Sequence, residues 1–250
     1  MTWHGWGLTD IGRVRKINQD AFQLHPDHSM WIVADGMGGH AGGEVASQLA
    51  IETIGSYVQQ HQTTNHTSHT DNREVILRGA LDAANRAVRN HAREHTQYSG
   101  MGTTAVILSI SSKSTSQATI AHIGDSRAYL IQEHGISQLM RDHTLVEERI
   151  ELGLLTREEA ATHPLRNVLT RGLGIESEVE ASIQSHTIQI TDKILLCSDG
   201  LTKMMNDDEI FNVIRQYNHS LKEACQQLVD TANQLGGEDN VTVVLVGAET

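Results

Sequence analysis

The 250-residue chain has only two cysteines, Cys197 and Cys225, and only two prolines, Pro26 and Pro164. Two thiols make no disulfide framework and suit a reducing compartment, so a cytoplasmic location is expected. Without a Pro-rich or Gly/Ser linker, and with no repeat of solenoid or propeller period, the chain reads as one domain over 1–250. Positive charge is also short: 19 Lys and Arg stand against 31 Asp and Glu, a net −12. Such a chain repels nucleic acid and anionic membrane, so neither is expected as a partner. The longest apolar runs, such as 194–197 and 243–246, cannot span a bilayer. The start, Met1-Thr2-Trp3-His4, lacks the basic flank and apolar core of a signal peptide. What remains is ordinary for a globular protein: 38% hydrophobic residues and 21 glycines. A chain of this length hides roughly 70–75% of its unfolded surface.

Patterning predicts strands at 6–8, 21–24 and 30–34, then helices over about 44–60 and 73–94. The first helix presents Val45, Leu49, Ile54, Tyr57 and Val58; the second carries a small-residue stripe of Ala80, Ala83, Ala84 and Ala87. The polar stretch 61–71 between them holds three histidines, but their spacing fits no ligand set, so it reads as a solvated loop. Short β-branched runs follow at 103–110, 117–123, 127–132 and 136–139. Between 142 and 173 the β pattern stops, and Thr144-x-x-Glu147 and Thr156-x-x-Glu159 read as capping boxes of two short helices. Strands resume at 181–190 and 193–197. Helices opened by Asn206 and Ser220 precede a last strand at 241–246. The second of these aligns Leu221, Ala224, Cys225, Leu228, Val229 and Ala232 on one face. Helix pairs around a largely antiparallel β core predict an α+β sandwich.

The acids are informative by position. Strand 31–34 runs into Asp35-Gly36, strand 194–198 into Asp199-Gly200, and strand 120–123 into Gly124-Asp125. Asp239-Asn240 stands just before the last strand and Asp20 just before Ala21-Phe22. A strand end fixes a side chain while leaving it at the rim of a sheet, and a neighbouring glycine lets a ligand approach the backbone. One Asp-Gly pair by itself more often marks a turn than a site. Several convergent carboxylates, however, cannot all ionise at close range without a cation. Hard oxygen donors with no Cys/His cluster point to Mg²⁺ or Mn²⁺, and a pair of such ions is a device for hydrolysing phosphate esters.

The run Gly36-Met-Gly38-Gly39-His40-Ala41 also matches a dinucleotide-binding fingerprint after a strand and before a helix. Its context fails, because no parallel strand with a terminal acid follows the helix, and Asp35 would face the pyrophosphate.

Seven motifs occur in order. They are Arg15-Lys-Ile-Asn18-Gln19-Asp20; Val33-Ala-Asp35-Gly36-Met-Gly-Gly-His40-Ala-Gly-Gly-Glu44; Gly102-Thr-Thr104-Ala105; Ala121-His-Ile-Gly124-Asp125-Ser-Arg127; Asp142-His-Thr144; Ser198-Asp199-Gly200-Leu201; and Gly237-Glu-Asp239-Asn240-Val-Thr242. Together they resemble the metal-dependent protein serine/threonine phosphatase family (type 2C, PPM) in its compact bacterial form, over nearly the whole chain.

The resemblance implies a four-layer α-β-β-α sandwich with a flap at about 144–173 beside a terminal cleft. By the family pattern, Asp35 bridges two ions, Asp199 and Asp239 complete the first site, the Gly36 carbonyl ligates the second, and Asp20 holds water. Asp125 with Asp199 matches the ligands of a third ion found in bacterial members. The implied reaction is in-line attack on phosphoserine or phosphothreonine by a hydroxide bridging two divalent ions. Arg15 grips phosphoryl oxygens and His40 is the candidate general acid. Expected partners are Ser/Thr-phosphorylated proteins, including a cognate Ser/Thr kinase or its substrates. The alternative is a catalytically silent phosphatase-fold binding module, which should have lost ligands that are all present here. Cys197 and Cys225 read as inert, Arg127 as paired with an acid, and an acidic cleft rim would favour phosphosites with basic neighbours.

Overall fold

A computed structural model describes residues 2–39, 42–64, 72–112 and 116–249; most of the histidine-bearing stretch, 65–71, lies outside the described residues. In chain order the elements are β1 (Trp3–Asp10), β2 (Asp20–His25), β3 (Met30–Met37), α1 (Gly42–Thr64) and α2 (Arg73–Glu94). Next come β4 (Gly102–Thr103), β5 (Ala105–Ser112), β6 (Ser116–Ile123), β7 (Arg127–Gln132) and β8 (Gly135–Gln138). The short helices α3 (Leu145–Glu151) and α4 (Arg157–Ala161) lead to β9 (Ser182–Thr187) and β10 (Lys193–Cys197). The chain then forms α5 (Asp199–Thr202), α6 (Asp207–Gln216), α7 (Leu221–Gln234) and β11 (Val241–Ala248).

The strands build two sheets, ordered β1-β11-β10-β7-β8 and β2-β3-β5-β6-β9, with β4 against β3. Every pair is antiparallel, which removes the dinucleotide-binding alternative at Gly36–Gly39. First and last strands pair along their full length, Trp3 opposite Ala248 and Asp10 opposite Val241.

Period-two alternation sorts each strand between layers. Met30, Ile32 and Ala34 of β3 pack under α1 and α2, whereas Trp31 and Val33 face the other sheet. In β10 and β11, Ile194, Leu196, Val244 and Val246 face inward, and Leu195, Cys197, Val243 and Leu245 lie under α6 and α7. Three apolar cores result among the described residues, and the four-layer expectation holds.

Helix faces differ in detail from the expected ones. On α1 the buried residues are Ala46, Ala50, Ile51, Ile54 and Val58, with Val45, Leu49 and Tyr57 only partly covered. On α2, Leu77, Leu81 and Val88 join Ala80 and Ala84, while Ala83 and Ala87 sit at the margin. Tertiary packing selects the face here. On α7 the expected stripe is buried except for the partly exposed Leu221. Capping boxes close at Thr156/Glu159 and Asn206/Glu209; at Thr144 only the N-cap half forms, through Glu147 N–H. Both thiols are buried, and burial pushes each up to about 12, so neither is nucleophilic near neutrality.

Residues 142–173 leave the sheets at one end and are tied back at their base. Leu173 and Thr103 exchange backbone bonds of 2.8 and 3.0 Å, and Thr170 N–H donates to the His143 carbonyl at 2.9 Å. Beneath this base, His122 and His143 stack with centroids 4.3 Å apart. His122 Nε2–H donates to the Arg141 carbonyl at 2.9 Å. His143 Nδ1 accepts Gly124 N–H, which fixes its proton on Nε2, facing Ser182 Oγ.

Burial holds both rings neutral, His122 at about 4 and His143 at about 3. A folded value below the unfolded 6.5 means the unfolded chain binds more protons between about 4 and 6.5. The stability is therefore complete above about 6.5 and is lost as pH falls through that window. His122→Gln keeps the donor to Arg141 without the titration. Urea unfolding in chelator should show the wild-type advantage over this variant shrinking by about 3 kcal/mol between pH 6.5 and 4. A pH-independent difference would refute the assignment.

Candidate active site

The inter-sheet core is apolar along most of its length and turns polar at one end. The same alternation that turns Phe22, Val33 and Leu196 inward there places Asp20, Asp35 and Ser198 on the inward faces. Asp20 and Asp35 are direct cross-strand partners. Like charges opposite one another are unfavourable, so this register argues for something other than fold stability.

Hydrogen bonds fix each acid from behind. Ser198 Oγ donates to Asp20 Oδ2 at 2.7 Å and accepts Thr242 N–H at 3.0 Å. Asp35 N–H donates to Thr104 Oγ1 at 3.0 Å, and the Thr104 and Ser126 hydroxyls lie 2.7 Å apart. Gly36 N–H donates to the Gln19 carbonyl at 3.0 Å. A β-carbon at Gly36 would stand 2.0 Å from the Gly43 carbonyl oxygen, so only glycine brings β3 this close to the start of α1.

Asn240 does more than orient its neighbour. Its N–H donates to Asp239 Oδ1, its Oδ1 accepts Gln19 N–H, and its Nδ2 donates to the Ile11 and Ile17 carbonyls. The loop 11–19, which has no regular structure, is thereby strapped to the entrance of β11, carrying Arg15 to the cluster. Arg15 forks onto Asp239, with Nε to Oδ1 and Nη2 to Oδ2 each 2.9 Å. Lys203 Nζ reaches Asp199 Oδ2 at 2.5 Å and Asp239 Oδ2 at 3.0 Å.

The charges are strained by company. Burial pushes Asp20 up to about 6 against the Ser198 bond, and Asp199 and Asp239 add repulsion. Burial, then Asp20 and Asp199, holds Asp35 well above the usual carboxylate range. Burial, then Asp199 and Asp142, pushes Asp125 to about 7. Burial would raise Asp239 too, but Lys203 and Arg15 outweigh it and leave it lowered. Asp199 Oδ1 and Asp20 Oδ1 are buried with no hydrogen-bond partner among the described residues. Leaving such oxygens unpaired is costly.

Asp20, Asp35, Gly36, Asp125, Asp199, Asp239 and Arg15 thus gather at one end of the sandwich, and His40 lies outside the described residues. Arg127 pairs bidentately with Asp142, and both line the groove beside Asp125. Sequence reading did not single out Lys203 and gave Ser198 no role of its own. Lys203 stands four residues after Asp199, the spacing that aligns a helical pair, and that was its available signal. A groove of about 550 Å³ runs from the cluster beneath α3 and α4. Arg157 and Arg166 line it with Glu147 and Glu238, so the expected acidic rim is of mixed sign.

Residues 13–235 match the family model described as protein phosphatase 2C. The chain belongs to the protein phosphatase 2C family. It is 39% identical over 246 residues to the serine/threonine phosphatase stp of Listeria welshimeri, covering 97% of this chain and 95% of that one. The solved S. agalactiae serine/threonine phosphatase superposes with a TM-score of 0.89 at 33% identity, over 99% of this chain and 100% of that one. A structure of the PstP catalytic domain in complex with two manganese ions superposes at 0.85, with 30% identity over 99% of each chain. The molecule is accordingly an enzyme, a protein serine/threonine phosphatase, and the silent binding module is set aside.

Proposed function

We propose that this phosphatase acts with divalent cations, Mn²⁺ or Mg²⁺, at the carboxylate end of the sandwich. Asp35, Asp199, Asp239 and the Gly36 carbonyl would hold two ions, and Asp125 with Asp199 a third. The observation that carries this reading is the pair of buried, unpartnered oxygens on Asp20 and Asp199 within a mutually repelling acid cluster. The all-oxygen donor set fits hard cations. As the side chains are turned, no three Asp, Glu, His or Cys among the described residues converge on one point. Lys203 and Arg15 occupy oxygens of Asp199 and Asp239 instead. The PstP complex with two manganese ions supports the same chemistry by similarity.

When bound, the cations lower the pKa of water and offset charge on the phosphoryl group. The chain's own residues do the rest. Asp20, anchored through Oδ2, turns its unpartnered Oδ1 to orient water. Arg15 lines both grooves that meet at the cluster, so the fork that grips Asp239 is placed to grip phosphoryl oxygens. Segment 144–173 forms the facing wall as a flap over the protein substrate. His40 keeps the role of proton donor to the leaving oxygen on the strength of the resemblance. The substrates are phosphoproteins of a bacterial cytoplasm, made by a Ser/Thr kinase that this enzyme opposes; its similarity to the Listeria and streptococcal phosphatases and its buried free thiols support this.

The test is phosphate release from a phosphothreonine peptide with Mn²⁺, with Mg²⁺ and with chelator. Turnover should require metal. Arg15→Lys, which loses the planar fork, should lower kcat/KM by about 10–100-fold, mainly through KM. Full turnover in chelator would refute the metal reading.

A further inference from the structure

We propose that Lys203 is a tethered cation that competes with the divalent ions for Asp199 and Asp239 and so sets how much free metal the phosphatase needs. The inference rests on the metal reading above. Asp199 opens α5, and Lys203 follows one turn later on the same side. That spacing accounts for the Asp199 contact alone. Asp239 comes from the entrance of β11, 36 residues away, and the same ammonium meets it as well. The Lys203 side chain is only 27% exposed, unlike a lysine that trails its charge in water. It lines both grooves at the cluster, beside Asp125 and Arg15.

The contacts compete with loading, although Asp199 Oδ1 carries no hydrogen bond. Asp239 Oδ2 already accepts from Lys203 and from Arg15 Nη2, and Asp199 Oδ2 from Lys203. A cation drawing on these oxygens competes with the ammonium for their lone pairs, and the two positive charges repel. Before loading, the lysine offsets repulsion between two acids; after loading, it weakens the hold on metal. One side chain therefore stabilises one form and penalises the other.

The test compares wild type with Lys203→Met and Lys203→Gln, measuring Mn²⁺ affinity by calorimetry and melting in chelator and in saturating Mn²⁺. Both variants should bind Mn²⁺ at least about fivefold more tightly. Both should melt below wild type in chelator and gain more on adding Mn²⁺. In wild type, amine acylation of Lys203 followed by mass spectrometry should quicken when Mn²⁺ is added, as the carboxylates release it. The inference is overturned if folded variants bind Mn²⁺ no more tightly than wild type, or if metal slows acylation. Mn²⁺ binding to none of the three proteins would overturn the metal reading and this inference with it.

Discussion

Asp35→Asn loses turnover yet melts above the wild-type chain in chelator. Asp35 sits across from Asp20 with Asp199 and Asp125 nearby, and burial and those charges hold its carboxyl well above the usual range. Near neutral pH the folded chain must either ionise it against Asp20, Asp199, Asp125 and Asp239 or keep its proton, and both are unfavourable. The amide removes that conflict while leaving the backbone bond to Thr104 intact. The gain in chelator should be about 1 kcal/mol or more, or about 2–4 °C in a chain of this size. Saturating Mn²⁺ should reverse the order. Wild type should gain about 2.7 kcal/mol at a hundredfold excess over Kd, and the variant much less. Activity should fall by more than about 100-fold, beyond what loss of a supporting contact to a metal ligand costs. Equal melting of both proteins in chelator would show that Asp35 is not under electrostatic strain.

Such strain marks where local rules yield to function, and it was legible only in part. The apolar periods in β3, β6 and β10 announced both the elements and the acids at their ends. A strand-end aspartate beside glycine needs only local grammar to be noticed. Which acids meet depends on register between distant strands. Nothing near Asp20 says that it will face Asp35, or that Ser198 will reach it from 178 residues away. The faces of α1 and α2 were legible only in part for a related reason: Ile54, Val58, Ala80 and Ala84 are inside as expected, and the rest of each face is set by packing. Alanines there are neutral in pattern, and close packing on the sheet, not hydrophobicity, decides that Ala46 and Ala50 are inside. Lys203 escaped notice because a lysine after Asp-Gly-Leu-Thr looks like a solvated helix residue until Asp239 is folded against it.

Gly200→Ala should damage both stability and activity, although alanine is the better helix former by about 1 kcal/mol. Gly200 lies in α5, where β10 ends, and the new β-carbon would stand 1.9 Å from the Asn240 carbonyl oxygen. That neighbour is backbone and cannot rotate away. Nor can it drift, since the Asn240 side chain holds Gln19, Ile11 and Ile17. Relieving the overlap must part α5 from β11, moving Asp199 away from Asp239 and pulling on the loop that carries Arg15. Overpacking of this kind costs about 1–3 kcal/mol, more than helix propensity returns. A misplacement near 1 Å can cost about 100-fold in rate. Gly135→Ala is the control: its added carbon meets nothing within 4 Å, so stability should change by less than about 0.5 kcal/mol and turnover should persist. Thermal melting and phosphopeptide turnover in Mn²⁺ measure both variants. If Gly200→Ala keeps wild-type melting and rate, the contact between α5 and β11 does not set the spacing of the two acids.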